Sequence, residues 1–168
     1  MPLATRLCSL WFVAALAAPG CAASPPAFVA TAREAPGLTV YRGVPRWAQP
    51  PADGSTFAIA GQKFFREPKS LRGAEARALA EALADDANYT KHVEGKRCGG
   101  FHADWAVEWQ RGGEPQRVLL CFGCGEAMSL SGGGTWLNDL SEGAEAKLTS
   151  ILGPQAGPPP AGAALGAP

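Results

Sequence analysis

An excess of either charge is missing from the 168-residue chain, where 15 Lys and Arg offset 15 Asp and Glu. That balance argues against a nucleic-acid grip, which needs a basic face to displace counterions from phosphate. Also missing is an apolar run of the ~20 residues that a membrane-spanning helix requires; the longest candidate, residues 7–18, is shorter. There is no phosphate-cradling loop, because the glycine run 132–134 lacks the lysine and the helix that would follow it. A c-type haem is excluded by Gly125, which follows Cys124 where that attachment needs His. Hydrophobic residues are not scarce, at 46% with 8% aromatics, so the chain as a whole is not a disordered one. Its length fits a single domain.

The N-terminus reads as an address. Arg6 gives a short positive segment, residues 7–18 an apolar one, and Pro19-Gly20 breaks the helix before Cys21. The stretch Leu16-Ala-Ala-Pro-Gly-Cys21 resembles a bacterial lipobox, with the departure that Ala18 stands where Leu is usual. The resemblance implies cleavage before Cys21 and a diacylglyceryl anchor on its sulfur. The alternative is an ordinary secretory signal cut after Ala22 or Ala23. Either way the protein is expected to be exported. The lipoprotein reading gives a membrane-anchored domain facing the periplasm, with the outer membrane favoured because Ala22 is not the Asp of inner-membrane retention. The sequon Asn88-Tyr89-Thr90 is read as a chance match.

These signals divide the chain into a signal peptide (1–20), a lipidated Cys and Pro-rich tether (21–36), a folded domain (37–152) and a disordered Pro/Gly/Ala-rich tail (153–168). Within the domain, residues 38–42, 56–60 and 63–65 are β-like. Residues 74–86, after Gly73, are rich in Ala, Leu and Glu, with Ala76, Leu79 and Leu83 on one stripe. A second helix is expected from an N-cap at Ser141, striped by Ala144, Leu148 and Ile151 or Leu152. Residues 101–110 alternate strictly, which predicts Phe101, Ala103, Trp105, Val107 and Trp109 on one face. His102, Asp104, Ala106, Glu108 and Gln110 would then share the other, polar face. The run 118–122 is apolar on both faces and reads as a central strand, with 126–131 pairing back and 135–137 following. The expected class is α+β, a mostly antiparallel sheet of four to six strands with two helices on one face.

Three cysteines remain for the domain: Cys98, Cys121 and Cys124. Outside the cytoplasm an odd number suggests one disulfide and one spare thiol. A zinc site is the rival, since Cys121-x-x-Cys124-Gly125 has the shape of a knuckle and Cys98-x-x-x-His102 offers two more ligands. A plain hairpin closed at 111–115 would pair Gln110 with Gln116 and set His102 opposite Cys124. Free or redox-cycling thiols are the third possibility, and a solvated His102 beside Asp104 and Glu108 is the bland one.

The block KRCGGFHADWAVEW…RVLLCFGCGEAMSL resembles a signature of small exported proteins and lipoproteins of bacteria, carried here by Cys98, His102, Asp104, Cys121, Phe122 and Cys124 over residues 70–152. The resemblance implies that these residues belong together and implies no activity. Enzyme readings are weak. A thioredoxin-like site needs its Cys-x-x-Cys at a helix N-terminus, whereas a β-like run follows Gly125. A zinc deaminase would use His92, Glu94, Cys121 and Cys124, but Leu120 replaces the required Pro, and His92 reads as a surface residue. The sequence therefore points to a non-catalytic cell-envelope domain that binds a protein or small molecule, or serves structurally, with no cofactor. The runner-up is a thiol-redox or zinc protein using Cys98, His102, Cys121 and Cys124.

Overall fold

A computed structural model describes residues 24–48 and 54–157. The expected signal segment, Cys21 and tail residues 158–168 lie outside that range. Among the described residues, nine strands and two α-helices follow one another: β1 (Leu38–Arg42), β2 (Thr56–Ile59), β3 (Gln62–Phe65), β4 (Lys69–Leu71), α1 (Gly73–Leu83), β5 (Tyr89–Lys91), β6 (Trp105–Arg111), β7 (Glu114–Cys121), β8 (Glu126–Ser131), β9 (Gly134–Leu140) and α2 (Ala144–Leu152). Seven strands form one sheet in the order β4-β1-β6-β7-β8-β9-β5, and β2 pairs with β3 separately. Every strand pairing is antiparallel. The fold is α+β. The sheet is wider than four to six strands because β4 and β5, three residues each and largely polar, close its two edges.

The central strand is β7, as its unbroken apolar run requires. Val118 and Leu120 face one core and Leu119 the other. On the first face, Trp105, Val107 and Trp109 of β6 meet Ala76, Leu79 and Leu83 of α1 and Leu148 and Leu152 of α2. Both helices therefore cover the same face, on the stripes their spacing sets. On the opposite face the β2–β3 hairpin supplies Ile59, Phe64 and Phe57 over Ala106, Leu119 and Met128.

Several local expectations change. Residues 27–34 are not tether: Ala27–Glu34 is a 3-10 helix that buries Val29 and Ala32. Its Thr31 hydroxyl accepts the indole N–H of fully packed Trp109 at 3.0 Å. Ser141 does not cap α2, whose first turn follows Gly143; the Ser141 hydroxyl donates to the Ala87 carbonyl instead. Gly153–Gln155 continues as a 3-10 turn against α2, so the fold passes the expected boundary at 152. Asn88 of the sequon is buried, its amide donating to the Ala82 carbonyl.

The alternation of residues 101–110 holds only from Trp105 onward. Phe101 and Ala103 lie in the opposite core from Trp105, because the chain bends at Asp104 before entering β6. The β6–β7 hairpin turns on Gly112-Gly113, both at positive φ, with Arg111 facing Glu114. That two-residue turn sets Trp109 opposite Gln116, one residue away from the plain count. Asp104 is thereby carried toward Cys121, His102 no longer falls opposite Cys124, and it leaves the face that Glu108 shares with Arg117.

Candidate functional site

The candidate site lies where β1 and β7 end and β6 begins. Asp104 fixes this corner with three hydrogen bonds. Its N–H donates to the Leu120 carbonyl at 2.7 Å, its own carbonyl accepts Gly43 N–H at 2.7 Å, and its carboxylate accepts Phe122 N–H at 2.7 Å. Gly43 is obligatory there, since any Cβ would run into the Ala103 carbonyl. The side chain expected on a solvated polar face is thus a bracket holding three strand ends together.

Cys98 and Cys124 are joined as a disulfide, with Cα atoms 5.4 Å apart, and Cys121 is a buried free thiol. One bond and one spare thiol is the outcome that the odd count suggests. The cross-link ties the loop after β5 to the turn between β7 and β8. Arg46 reinforces it by donating to the carbonyls of Cys98 at 3.1 Å and Gly100 at 2.6 Å. Lys96 donates to the Cys124 carbonyl at 3.1 Å.

Around this corner opens a cleft of about 580 Å³. Its walls include Arg42, Arg46, Trp47, His102, Trp105 and Phe122, with the disulfide and Cys121 at its back. Trp47 stands at the mouth, 67% exposed. The pairing of Trp105 and Trp109 on one strand face is core packing for Trp109, while Trp105 serves both the core and the cleft. Arg42 also donates to the carbonyls of Ala156 and Gly157, drawing the chain beyond α2 along the rim.

The chemistry of these groups is quiet. Burial pushes the Cys121 thiol pKa up, against backbone N–H bonds from His102 and Cys124 that pull it down. The His102 ring has no hydrogen bond or ion pair among the described residues, and the Asp104 carboxylate is occupied by Phe122 N–H. Cys98, His102, Cys121 and Cys124 do not converge on one point as a tetrahedral ligand set. The groups of ligand atoms that do converge, among the described residues, are Cys98/Cys124/Glu126 and His92/Glu126/Asp139. The deaminase arrangement fails for the same reason, with Glu94 exposed and Cys124 bonded to Cys98.

Glu126 and Asp139 are the residues that the sequence reading passed over. They face each other directly across β8 and β9, and both are buried. Like charges in that relation repel. The loop after β5 neutralises them: Lys96 reaches Asp139 at 2.7 Å and Glu126 at 3.5 Å, and the His92 ring lies 2.9 Å from Asp139. Val93 N–H adds a third bond to Asp139 at 3.1 Å. Burial alone would raise the Asp139 pKa, but the bonds from Lys96, His92 and Val93 outweigh it and hold the carboxyl below its ordinary value. His92 is therefore a sheet-facing partner, not a simple surface residue. Counting back from the turn at 132–133 would have paired Glu126 with Asp139 in advance. No helix among the described residues is long and apolar enough to cross a membrane.

No protein-family model, curated protein or solved structure matches the chain.

Proposed function

We propose that the chain is an exported cell-envelope protein, anchored by lipid on Cys21 and facing the periplasm, whose folded body is a non-catalytic binding domain. The observation that carries the binding reading is the cleft of about 580 Å³ beside the Cys98–Cys124 cross-link. Its volume falls in the range of small-molecule sites, which combine apolar walls with a few placed polar groups. Here aromatic walls from Trp47, Trp105 and Phe122 meet the guanidinium groups of Arg42 and Arg46. Each guanidinium carries five N–H donors, so the bonds already made to backbone carbonyls leave others for a ligand. The ligand class that fits is a small molecule with an aromatic or otherwise apolar body and a carboxylate. The disulfide keeps the loop wall in place, which spares the ligand the cost of ordering it.

Simple aromatic carboxylates and their uncharged amides are the probes. The carboxylates are expected to quench tryptophan fluorescence and raise the melting temperature. The amides, and an Arg46→Ala variant with the carboxylates, are expected to respond weakly. Equal binding of acid and amide, or none of either, refutes the ligand class. The anchor is tested separately: wild type partitions into detergent with a lipid mass increment, and Cys21→Ala does not. Partitioning that survives the substitution refutes lipidation. A thiol-exchange role is the second reading, favoured by the free Cys121 in the same cleft as the disulfide. The upward shift of its pKa opposes it, because the thiolate is the reactive form.

A further inference from the structure

We propose that the Cys98–Cys124 disulfide masks a zinc site, which a dithiol reductant uncovers and in which Glu126 is the third ligand. The geometry supplies the set directly. The two sulfurs and a carboxylate oxygen of Glu126 lie within 4.8 Å of one another. Tetrahedral Zn–S bonds of ~2.3 Å place two sulfurs about 3.8 Å apart, a separation that reduction permits with little movement of either chain segment. Glu126 is held by long ion pairs only. Its side chain is 6% exposed and accepts no hydrogen bond among the described residues, with Lys96 at 3.5 Å and the His92 ring at 3.8 Å as its nearest cationic groups. A buried carboxylate ordinarily takes several short hydrogen bonds.

Zinc also offsets charge. Two thiolates and one carboxylate carry three negative charges, the zinc ion two positive, and Lys96, which Glu126 shares with Asp139, lies beside them. The steps balance as follows. The dithiol gives two electrons and two protons, the S–S bond breaks, Cys98 and Cys124 become thiols, and the reductant leaves as its own disulfide. Zinc then forms two Zn–S bonds and releases both thiol protons. This site lies on the Glu126 side of the cross-link and does not depend on what occupies the cleft. Its ligands differ from the Cys98/His102/Cys121/Cys124 set, since neither His102 nor Cys121 belongs to it.

The test uses the full chain, oxidised and after anaerobic reduction, with zinc and cobalt(II) as probes against a chromophoric chelator. The reduced protein should bind one ion and the oxidised protein none. Cobalt should give thiolate-to-metal charge-transfer absorption. In the reduced wild type, zinc should protect Cys98 and Cys124 from alkylation in peptide mapping, a readout that needs no variant to fold. Glu126→Gln should weaken binding roughly tenfold or more, while Cys121→Ser and His102→Ala leave it unchanged. Equal binding by oxidised protein marks an adventitious ion and overturns the proposal. So does a reduced protein that binds nothing, or loss of the cobalt band in Cys121→Ser.

Discussion

Removing the cross-link gives the sharpest test of how this corner is held. The informative variant is Cys98→Ser/Cys124→Ser, because a single substitution would leave Cys121 and Cys124 free to pair. The bond closes a loop with a sequence separation of 26. Loop-closure entropy for that length is about 12 cal/mol/K, or about 3.5 kcal/mol at 25 °C. The described body spans roughly 130 residues, for which the unfolding entropy near 60 °C is about 0.28 kcal/mol/K. The variant should therefore melt about 12 °C below the oxidised wild type, and the wild type reduced in the presence of a metal chelator should match it. Differential scanning calorimetry reads both. Amide exchange should localise the loosening to residues 97–102, the stretch of the loop that Arg46 would then hold beyond the Lys96, His92 and Val93 bonds to Asp139. A shift under about 3 °C would mean that the loop is already fixed without the bond, and the staple argument would fail.

Three further outcomes follow from the same geometry. Asp139 is held below the ordinary aspartate value, so its contribution is complete above about pH 3.9 and is lost as pH falls through the lower folded value. Urea melts across acid pH should show that loss in wild type and a flatter profile in Asp139→Asn. Cys121, buried with its pKa raised, should resist iodoacetamide near pH 8 in the folded protein and react after denaturation; rapid native labelling would contradict its placement. Gly43→Ala should destabilise by more than about 3 kcal/mol in a chemical melt, since its methyl meets the Ala103 carbonyl and the backbone must shift; near-wild-type stability would show that the corner is pliant.

The elements that could be read in advance are those whose side chains repeat. The stripe of α1, the doubly apolar β7 and the returning β8 and β9 follow from spacing and turn residues alone. The α+β class follows from their order. What escaped was set by contacts without a period. β4 and β5 are too short to show alternation, and they exist because β1 and β9 offer them open edges. Ala27–Glu34 looks like spacer by composition but buries Val29 and Ala32 against the helices. The register at β6 turned on a single choice, a two-residue loop at Gly112-Gly113 in place of a longer one, and that choice set Asp104 beside Cys121 and took His102 out of register with Cys124. Of the grouped cysteines, sequence left disulfide, zinc and free thiols open, and the fold selects which two sulfurs meet. Glu126 and Asp139 were invisible as a pair because each is ordinary alone.

The sheet is assembled from two kinds of neighbour. β6 through β9 run side by side in chain order, a meander spanning residues 105–140, whereas β1 joins it only through β6 and β5 only through β9. Synthesis reaches that meander last. Until it emerges, β5 has no strand to dock on, β1 has only the three-residue β4, and α1 lacks the Trp105, Val107 and Trp109 surface that buries its stripe. The described residues before the meander thus hold by themselves only the small cluster of Val44, Ala48 and Phe65, and the two larger cores close only when the meander has been made. Such a late commitment keeps a growing chain threadable, the condition that any pore admitting only unstructured polypeptide imposes on its cargo.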